Sequence, residues 1–498
     1  MILNLFIFNF KKIKFISQNI LKRFLFKIGY DINFNSISKF EIELSKFKKL
    51  KQNKKLLKYE DQKKVFDKIK KFPGPQMFKD WEEIIIEWEH CKLGVFKKLE
   101  NFYSIKKKNL QDMKLSELNI DFISKEIFTG SFGMPYHFHV YNEAKLLKLH
   151  EAKTLCLLDE IIYSFKKQWS ITNYTLFNYL KPFFKLISNK KEIKTFENIE
   201  KYLTVPISLA VPINKKYMMV EIAKNIINTK KYEKKITKPS LIVTEKHKID
   251  SKEIFKKIGI DLDKDWFVTL HAREPGYTEK NSDQEFFRNG KIEDYNLAID
   301  YIIKSGGKVV RVGDSSMTKI NEKEGLIDYA HSEYKSEKLD ILLAANSRFC
   351  IATSSGFFAV TSIFDIPTIL TNTSHSIVYY RLKKNDFFVP ALLKSKSDKN
   401  YLKLTETMFP PYSIVNVNVK NRYKDWNIEY FKNSPEDILF AVEEMIERLN
   451  NNNFDKLKKL QLVIKNKLNS KQNIYTSEKI NHYGIFPEKF LEKYKEII

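Results

Sequence analysis

Between Trp266 and Leu370 the sequence alternates short apolar runs with helix-patterned stretches, and this alternation constrains the fold more than any other feature. Trp266 to Leu270 reads as a buried strand, and Ile292, Tyr295, Ile299 and Ile302 fall on one helical face that stops at Gly306-Gly307. Lys308 to Val312 reads as the next strand, and Ser336 caps a helix through Leu339, Leu342 and Leu343. Arg348 to Thr353 is a third strand, Ser354-Ser355-Gly356 a turn, Phe357 to Phe364 a helix, and Pro367 to Leu370 a fourth strand. Strands separated by helices cannot pair as hairpins, so the expectation is a parallel sheet with right-handed crossovers.

A weaker copy of this signal lies upstream. Glu126 to Thr129 reads as a strand, Gly130-Ser131-Phe132-Gly133 as a turn, Pro135 to Leu149 as a helix and Thr154 to Leu158 as a strand. At 498 residues the chain exceeds what one core usually serves. The fold class expected is therefore α/β, with two Rossmann-like domains carrying parallel sheets and helical additions at both ends. The expected division is a helical extension over 1–120, an N-terminal Rossmann-like domain over 121–235, a C-terminal Rossmann-like domain over 236–445 and terminal helices over 446–498. The basic, proline-containing segment from Thr229 to Pro239 marks the central boundary. Near the end, Ser434-Pro435-Glu436-Asp437 forms a capping box that opens an amphipathic helix, broken at Asn450 to Asn453. A further helix is expected from Phe454 to Leu468 and a short one after Pro487.

Composition excludes several classes. A hydrophobic share of 43% with 14% aromatic residues is that of a folded globular chain. Cys91, Cys156 and Cys350 stand far apart, without metal-ligand or redox spacing, as expected of buried thiols in a reducing cytoplasm. No apolar run reaches the length of a membrane span, and the start lacks the pattern of a secretory signal. The net charge of +26 could suit an anionic partner, but lysine-rich solvated faces account for it better, because Lys, Asn, Ile, Phe and Tyr, abundant together here, all have A/T-rich codons. Ile13, Ile16, Ile20, Phe24 and Ile28 recur at helical spacing amid Lys11, Lys12, Lys14, Lys22, Arg23 and Lys27. That pattern fits a helix lying on an anionic membrane face, and as well an ordinary helix packed on the body. No reading helix or aromatic platform supports nucleic-acid binding.

Ligands of open parallel sheets sit beyond the carboxyl ends of the strands. In this chain those positions are polar: His271, Arg273, Glu274, Gly276 and Tyr277 after the first strand, and Arg311, Gly313 and Asp314 after the second. Thr353, Ser354, Ser355 and Gly356 follow the third strand, and Thr371 and Asn372 the fourth. A helix start with two serines offers free N–H groups, the positive dipole end and hydroxyls, a phosphate-sized site. A guanidinium grips diphosphate oxygens bidentately, which suits Arg273 and Arg311. The competing reading of Arg311 is an ion pair with Asp314, Asp328 or Asp340. His271 and Glu274 are candidates for the general base, as are His137 and His139 upstream. The binding set expected is thus Arg273, Arg311, Thr353, Ser354, Ser355, Gly356 and Asn372, with His271, Arg273 and Glu274 as the catalytic set and no metal ligands.

The ordered strings FVTLHAREPGY (Phe267 to Tyr277), RNGKIEDYNLAIDYIIKSGGKVVRVGD (Arg288 to Asp314), IDYAHS (Ile327 to Ser332), LDILLAANSRF (Leu339 to Phe349) and TSSGFFAVTSIFDIPTILTN (Thr353 to Asn372) resemble a family of bacterial glycosyltransferases found with surface-polysaccharide genes. That family is distantly similar to GT-B fucosyltransferases. The resemblance covers roughly residues 260–380 and is weak upstream. It implies that Arg273 grips the donor diphosphate, that His271 is its partner in an H-x-R element and that Ser354, Ser355 and Gly356 form the donor turn. The expected activity is metal-independent, inverting hexosyl or deoxyhexosyl transfer from a nucleotide-diphosphate sugar to a surface-glycan or lipid-linked acceptor. No cofactor beyond that donor is expected, and the expected place is the cytoplasm, at its membrane face where the basic helix docks. A nucleotide-sugar epimerase and a non-catalytic glycan- or membrane-binding protein are the rival readings.

Overall fold

The structure is a computed structural model and describes residues 120–124, 139–140, 143–149, 153–157, 173–183, 185–187, 210–213, 216–227, 241–275, 288–321, 323–373, 382–397, 399–407, 427–469 and 484–498. The basic helix pattern before residue 30, the strand expected at Glu126 to Thr129 and the glycine turn after it lie outside the described residues.

In chain order the upstream elements are β1 (Ile120–Ser124), β2 (Lys153–Leu157), α1 (Tyr174–Leu180), β3 (Lys185–Ile187), β4 (Ala210–Ile213), β5 (Lys216–Met219) and α2 (Val220–Ile227). Strands β1, β2 and β3 form a parallel sheet in that order, so the upstream parallel unit is present, with its first described strand ahead of the expected one. Strands β4 and β5 make a separate antiparallel hairpin that the alternation signal did not indicate.

The second region holds α3 (Glu245–Lys257), β6 (Phe267–His271), α4 (Asn296–Lys304), β7 (Lys308–Arg311), β8 (Leu326–Ile327), α5 (Glu337–Asn346), β9 (Phe349–Thr353), α6 (Gly356–Ile363), β10 (Thr368–Thr373) and β11 (Phe387–Pro390). There follow β12 (Leu392–Ser395), α7 (Leu404–Thr407), β13 (Ile428–Phe431), α8 (Pro435–Asn451), α9 (Lys459–Asn469) and α10 (Glu488–Lys493). The four strands expected are all present, and β8 and β11 extend them to a six-stranded sheet of order β11-β10-β9-β6-β7-β8. Every pairing in it is parallel. The chain winds outward from β6 through β7 to β8, returns to β9 on the other flank of β6, and winds outward again to β11. This is the doubly wound order of a Rossmann domain, with its reversal between β6 and β9.

The residues explain the layers. Strands β9 and β10 are buried along their whole length, as a sheet covered on both faces requires. Helices α4 and α8 pack together on one side, while α5 packs with α3 and α6 on the other. Helix α4 stops at Lys304, capped by Ser305, and the next residue, Gly306, has a φ of +84° that glycine adopts at no steric cost. Its neighbour Gly307 answers to packing instead: a Cβ there would stand 2.4 Å from the Trp266 ring. Ser336 caps α5 by accepting from the Leu339 N–H, and the capping box at α8 is complete, with Ser434 and Asp437 each bonded to the other's backbone. Helix α8 ends at Asn452 in the left-handed region, inside the expected asparagine run. Helix α9 begins at Lys459, later than the Phe454 expected, and the short helix after Pro487 is present.

Candidate functional site

The strand order brings two chemically distinct termini side by side. His271 closes β6 and pairs in register with Ala352 of β9, which ends one residue later at Thr353 and gives way to α6. Beyond β6 the chain crosses the tip of β9, where the Arg273 N–H donates to Thr353 Oγ1 at 3.2 Å. Its returning limb is fastened to the same place: Arg288 Nε donates to the Ser354 carbonyl at 2.9 Å, Gly290 N–H to the Arg273 carbonyl at 2.9 Å, and Arg273 Nη1 to Asn289 Oδ1 at 3.0 Å. Arg273 is partly exposed, as are Ser354, Ser355 and Gly356. Ser355 caps α6 by accepting from the Phe358 N–H. A cation and the positive end of a helix dipole therefore share one rim at the reversal point, the arrangement that suits a phosphate or diphosphate.

His271 stacks on Phe357 of the first turn of α6, with ring centroids 5.9 Å apart and planes within 10°. Its Nδ1 is sealed from solvent and lacks a partner in hydrogen-bond geometry among the described residues. Burial, aided by the nearby Arg273 and Arg311 charges, pushes its pKa down to about 4, so the imidazole is neutral near pH 7. A group held that far below working pH is a weak base but retains one N–H to donate. The general-base expectation for His271 is corrected on that ground.

The depressed pKa also has a stability consequence. The unfolded chain binds a proton at this histidine near pH 6.5 and the folded chain only near 4, so folding loses free energy as pH falls through that window. Replacing His271 by glutamine is expected to flatten the urea-denaturation midpoint between pH 6.5 and 4, closing a gap of about 3 kcal/mol relative to wild type at the acid end. Identical pH profiles for the two proteins would refute the buried, neutral state.

Four further expectations are corrected by the surroundings of the residues. Arg311 is fully buried, with Nη1 donating to Asp328 Oδ1 and Nη2 to Glu274 Oε1, each at 2.9 Å, which is the ion-pair alternative and leaves no face for a diphosphate. Glu274 spends its other oxygen on the Thr318 N–H at 2.8 Å and the Thr318 hydroxyl at 2.7 Å, so it is engaged as an anchor and not poised as a base. Thr353 is buried, its hydroxyl holding the Arg273 backbone. Asn372 is buried at a φ of +55°, exchanges backbone-to-side-chain hydrogen bonds with Asn433, and donates its amide to the Tyr295 hydroxyl at 3.2 Å. It shapes the end of β10 without facing a ligand.

Gly276, Tyr277 and His137 lie outside the described residues. His139 is buried, 3.4 Å from Glu143, which also takes the Lys224 ammonium, and burial lowers its pKa to about 4. Residue-type reasoning overlooked Arg288, Asn289 and Gly290, although Arg-Asn-Gly stands in the sequence as a cationic turn. A Cβ on Gly290 would lie 3.1 Å from the Tyr295 hydroxyl and 3.4 Å from the Thr353 methyl, which is why the loop can lie this close to β9. Among the described residues no group of three or more His, Cys, Asp or Glu is placed to hold a metal ion.

No protein-family model matches the chain, and no curated protein matches it. Among solved structures it is similar to the ADP-heptose lipopolysaccharide heptosyltransferase II of E. coli, at 10% identity over 50% of this chain and 83% of that one, with a TM-score of 0.31. The family 9 glycosyl transferase of Veillonella parvula is similar at 10% identity over 63% of this chain and 94% of that one, with a TM-score of 0.35. The UDP-GlcNAc 2-epimerase of Methanocaldococcus jannaschii is similar at 12% identity over 71% and 82%, with a TM-score of 0.20. At these scores the likenesses add nothing to what the strand order and the geometry of the rim already establish: an α/β chain with a doubly wound parallel sheet and a cationic, helix-capped rim at its reversal point.

Proposed function

We propose that this protein is a metal-independent, inverting glycosyltransferase of the GT-B kind, moving a hexosyl or deoxyhexosyl group from a nucleotide-diphosphate sugar to a surface-glycan or lipid-linked acceptor. The observation that carries the reading is the placement of Arg273 beside the start of α6 where the strand order reverses. In this reading an acceptor hydroxyl attacks the anomeric carbon, a new C–O bond forms there, and the bond to the diphosphate oxygen breaks. Negative charge then grows on the departing nucleoside diphosphate. Arg273 and the N–H groups of Ser355 and Gly356 neutralise it, and because they are already oriented, little reorganisation is needed at the moment of transfer. The neutral His271 donates a hydrogen bond at the same rim. The acceptor proton passes to a general base as the hydroxyl attacks. The basic helical pattern from Ile13 to Ile28 holds the enzyme at an anionic membrane face in the cytoplasm, close to a lipid-linked acceptor.

Thermal unfolding of the wild type and of Arg273→Ala, each with a panel of nucleoside diphosphates and their sugars, tests the reading. At a hundred times its dissociation constant a ligand adds about 2.7 kcal/mol to the folded state, so one nucleotide of the panel is expected to raise the Tm of the wild type and not that of the variant. A wild type indifferent to every nucleotide, or a variant stabilised as strongly as the wild type, overturns the donor site. Release of free nucleoside diphosphate only when an acceptor is present separates transfer from epimerisation.

A further inference from the structure

The ion network beneath Arg273 is more elaborate than burial of one arginine requires. Arg311, at the end of β7, holds Glu274 with one arm of its guanidinium and Asp328, beyond β8, with the other. Glu274 in turn accepts both the N–H and the hydroxyl of Thr318. The second oxygen of Asp328 accepts from the Ile320 N–H at 3.1 Å and bonds His331 Nδ1 at 2.9 Å. The strand ends of β6, β7 and β8 and the 314–320 loop are thus fastened to one buried cation. Glu274 is the covalent neighbour of Arg273, whose own N–H and carbonyl are fixed to Thr353 and Gly290. Arg273 is therefore held from β9 on one side and through Glu274 on the other.

We infer that Glu274 and Arg311 are positioning residues for Arg273: the brace they form sets the direction of its guanidinium toward the α6 start, and through it the affinity for a diphosphate. This rests on the donor-site reading above. The alternative is that the network stabilises the fold and leaves the direction of Arg273 untouched.

A double-mutant cycle on the full chain decides between them, with nucleoside diphosphate binding measured by calorimetry for the wild type, Glu274→Gln, Arg273→Ala and the double variant. Glutamine keeps the shape of Glu274 and can accept from Arg311, but its amide nitrogen cannot accept from Thr318. Glu274→Gln is expected to weaken diphosphate binding about tenfold in the wild-type background and to have no further effect once Arg273 is alanine, the signature of coupled residues. Binding of the corresponding nucleoside, which lacks phosphates, is expected to stay unchanged. Thr318→Val, at an exposed position, removes one arm of the same contact and serves if Glu274→Gln fails to fold; it is expected to give a smaller loss with the same coupling. Equal losses in both backgrounds, or a lowered Tm with unchanged affinity, overturn the brace while leaving the donor site standing. A wild type that binds no nucleoside diphosphate overturns the donor site and the brace with it.

Discussion

Glu444→Ala is expected to destabilise the folded chain by about 3–5 kcal/mol, seen as a fall in the urea midpoint at constant slope. Glu444 is 5% exposed and lies on α8 where α9 and α10 dock. One of its oxygens accepts from Arg448 Nε at 2.9 Å, Arg448 Nη2 at 2.8 Å and Gln461 Nε2 at 2.7 Å, and the other from the Glu488 N–H at 2.8 Å. Removing it leaves Arg448, 1% exposed, as a buried cation without its carboxylate, and strands the Gln461 and Glu488 donors. The penalty comes from the groups left behind, so removing the charges together should restore most of it. Glu444→Leu with Arg448→Met is accordingly expected to be clearly more stable than Glu444→Ala alone. A single variant within about 1 kcal/mol of wild type would mean that solvent reaches Arg448 and that the helical end is not packed as described.

Asp328→Ala should cost a comparable amount, again about 3–5 kcal/mol, for the same physical reason at a place that matters to the proposed donor site. Asp328 is 3% exposed and compensates Arg311, whose side chain is wholly buried. Glu274, the remaining carboxylate, is nearer the surface and already shared with Thr318. Asp328→Asn keeps an acceptor for Arg311 and is expected to fall between the two. Chemical denaturation of the three proteins checks the order, and a variant as stable as wild type would show that Glu274 alone suffices.

The core of the second region was legible because its signals are local. A parallel strand buried on both faces is a continuous apolar run, and each run between Trp266 and Leu370 is bounded by a helix cap or a glycine, so element type and order follow from short windows. Strand β8 escaped because a two-residue edge strand has no periodicity to read, and β11 because its apolar run is only four residues long and closes on Pro390. Arg273 and the α6 start were legible as a pair for a related reason: residues just past strand ends in a parallel sheet collect at one rim whatever the strand order.

What separated the part-exposed groups of the rim from the buried, paired ones was tertiary placement alone. Arg273 and Arg311 both follow strands and both read as anion binders. They differ because Arg311 lies under a loop with two carboxylates within 2.9 Å, while Arg273 is a part-exposed residue at the reversal between β6 and β9. Glu274 and Asn372 were indistinguishable from catalytic groups until their partners, Thr318 and Asn433, were brought to them from 44 and 61 residues away. The sequence by itself determined an α/β chain, the extent of its main strands and the rim on which chemistry gathers, because hydrophobic period and capping act over a few residues. Only the tertiary structure decided which polar groups on that rim are already paired, since desolvation and ion pairing depend on atoms that the chain brings together from far apart.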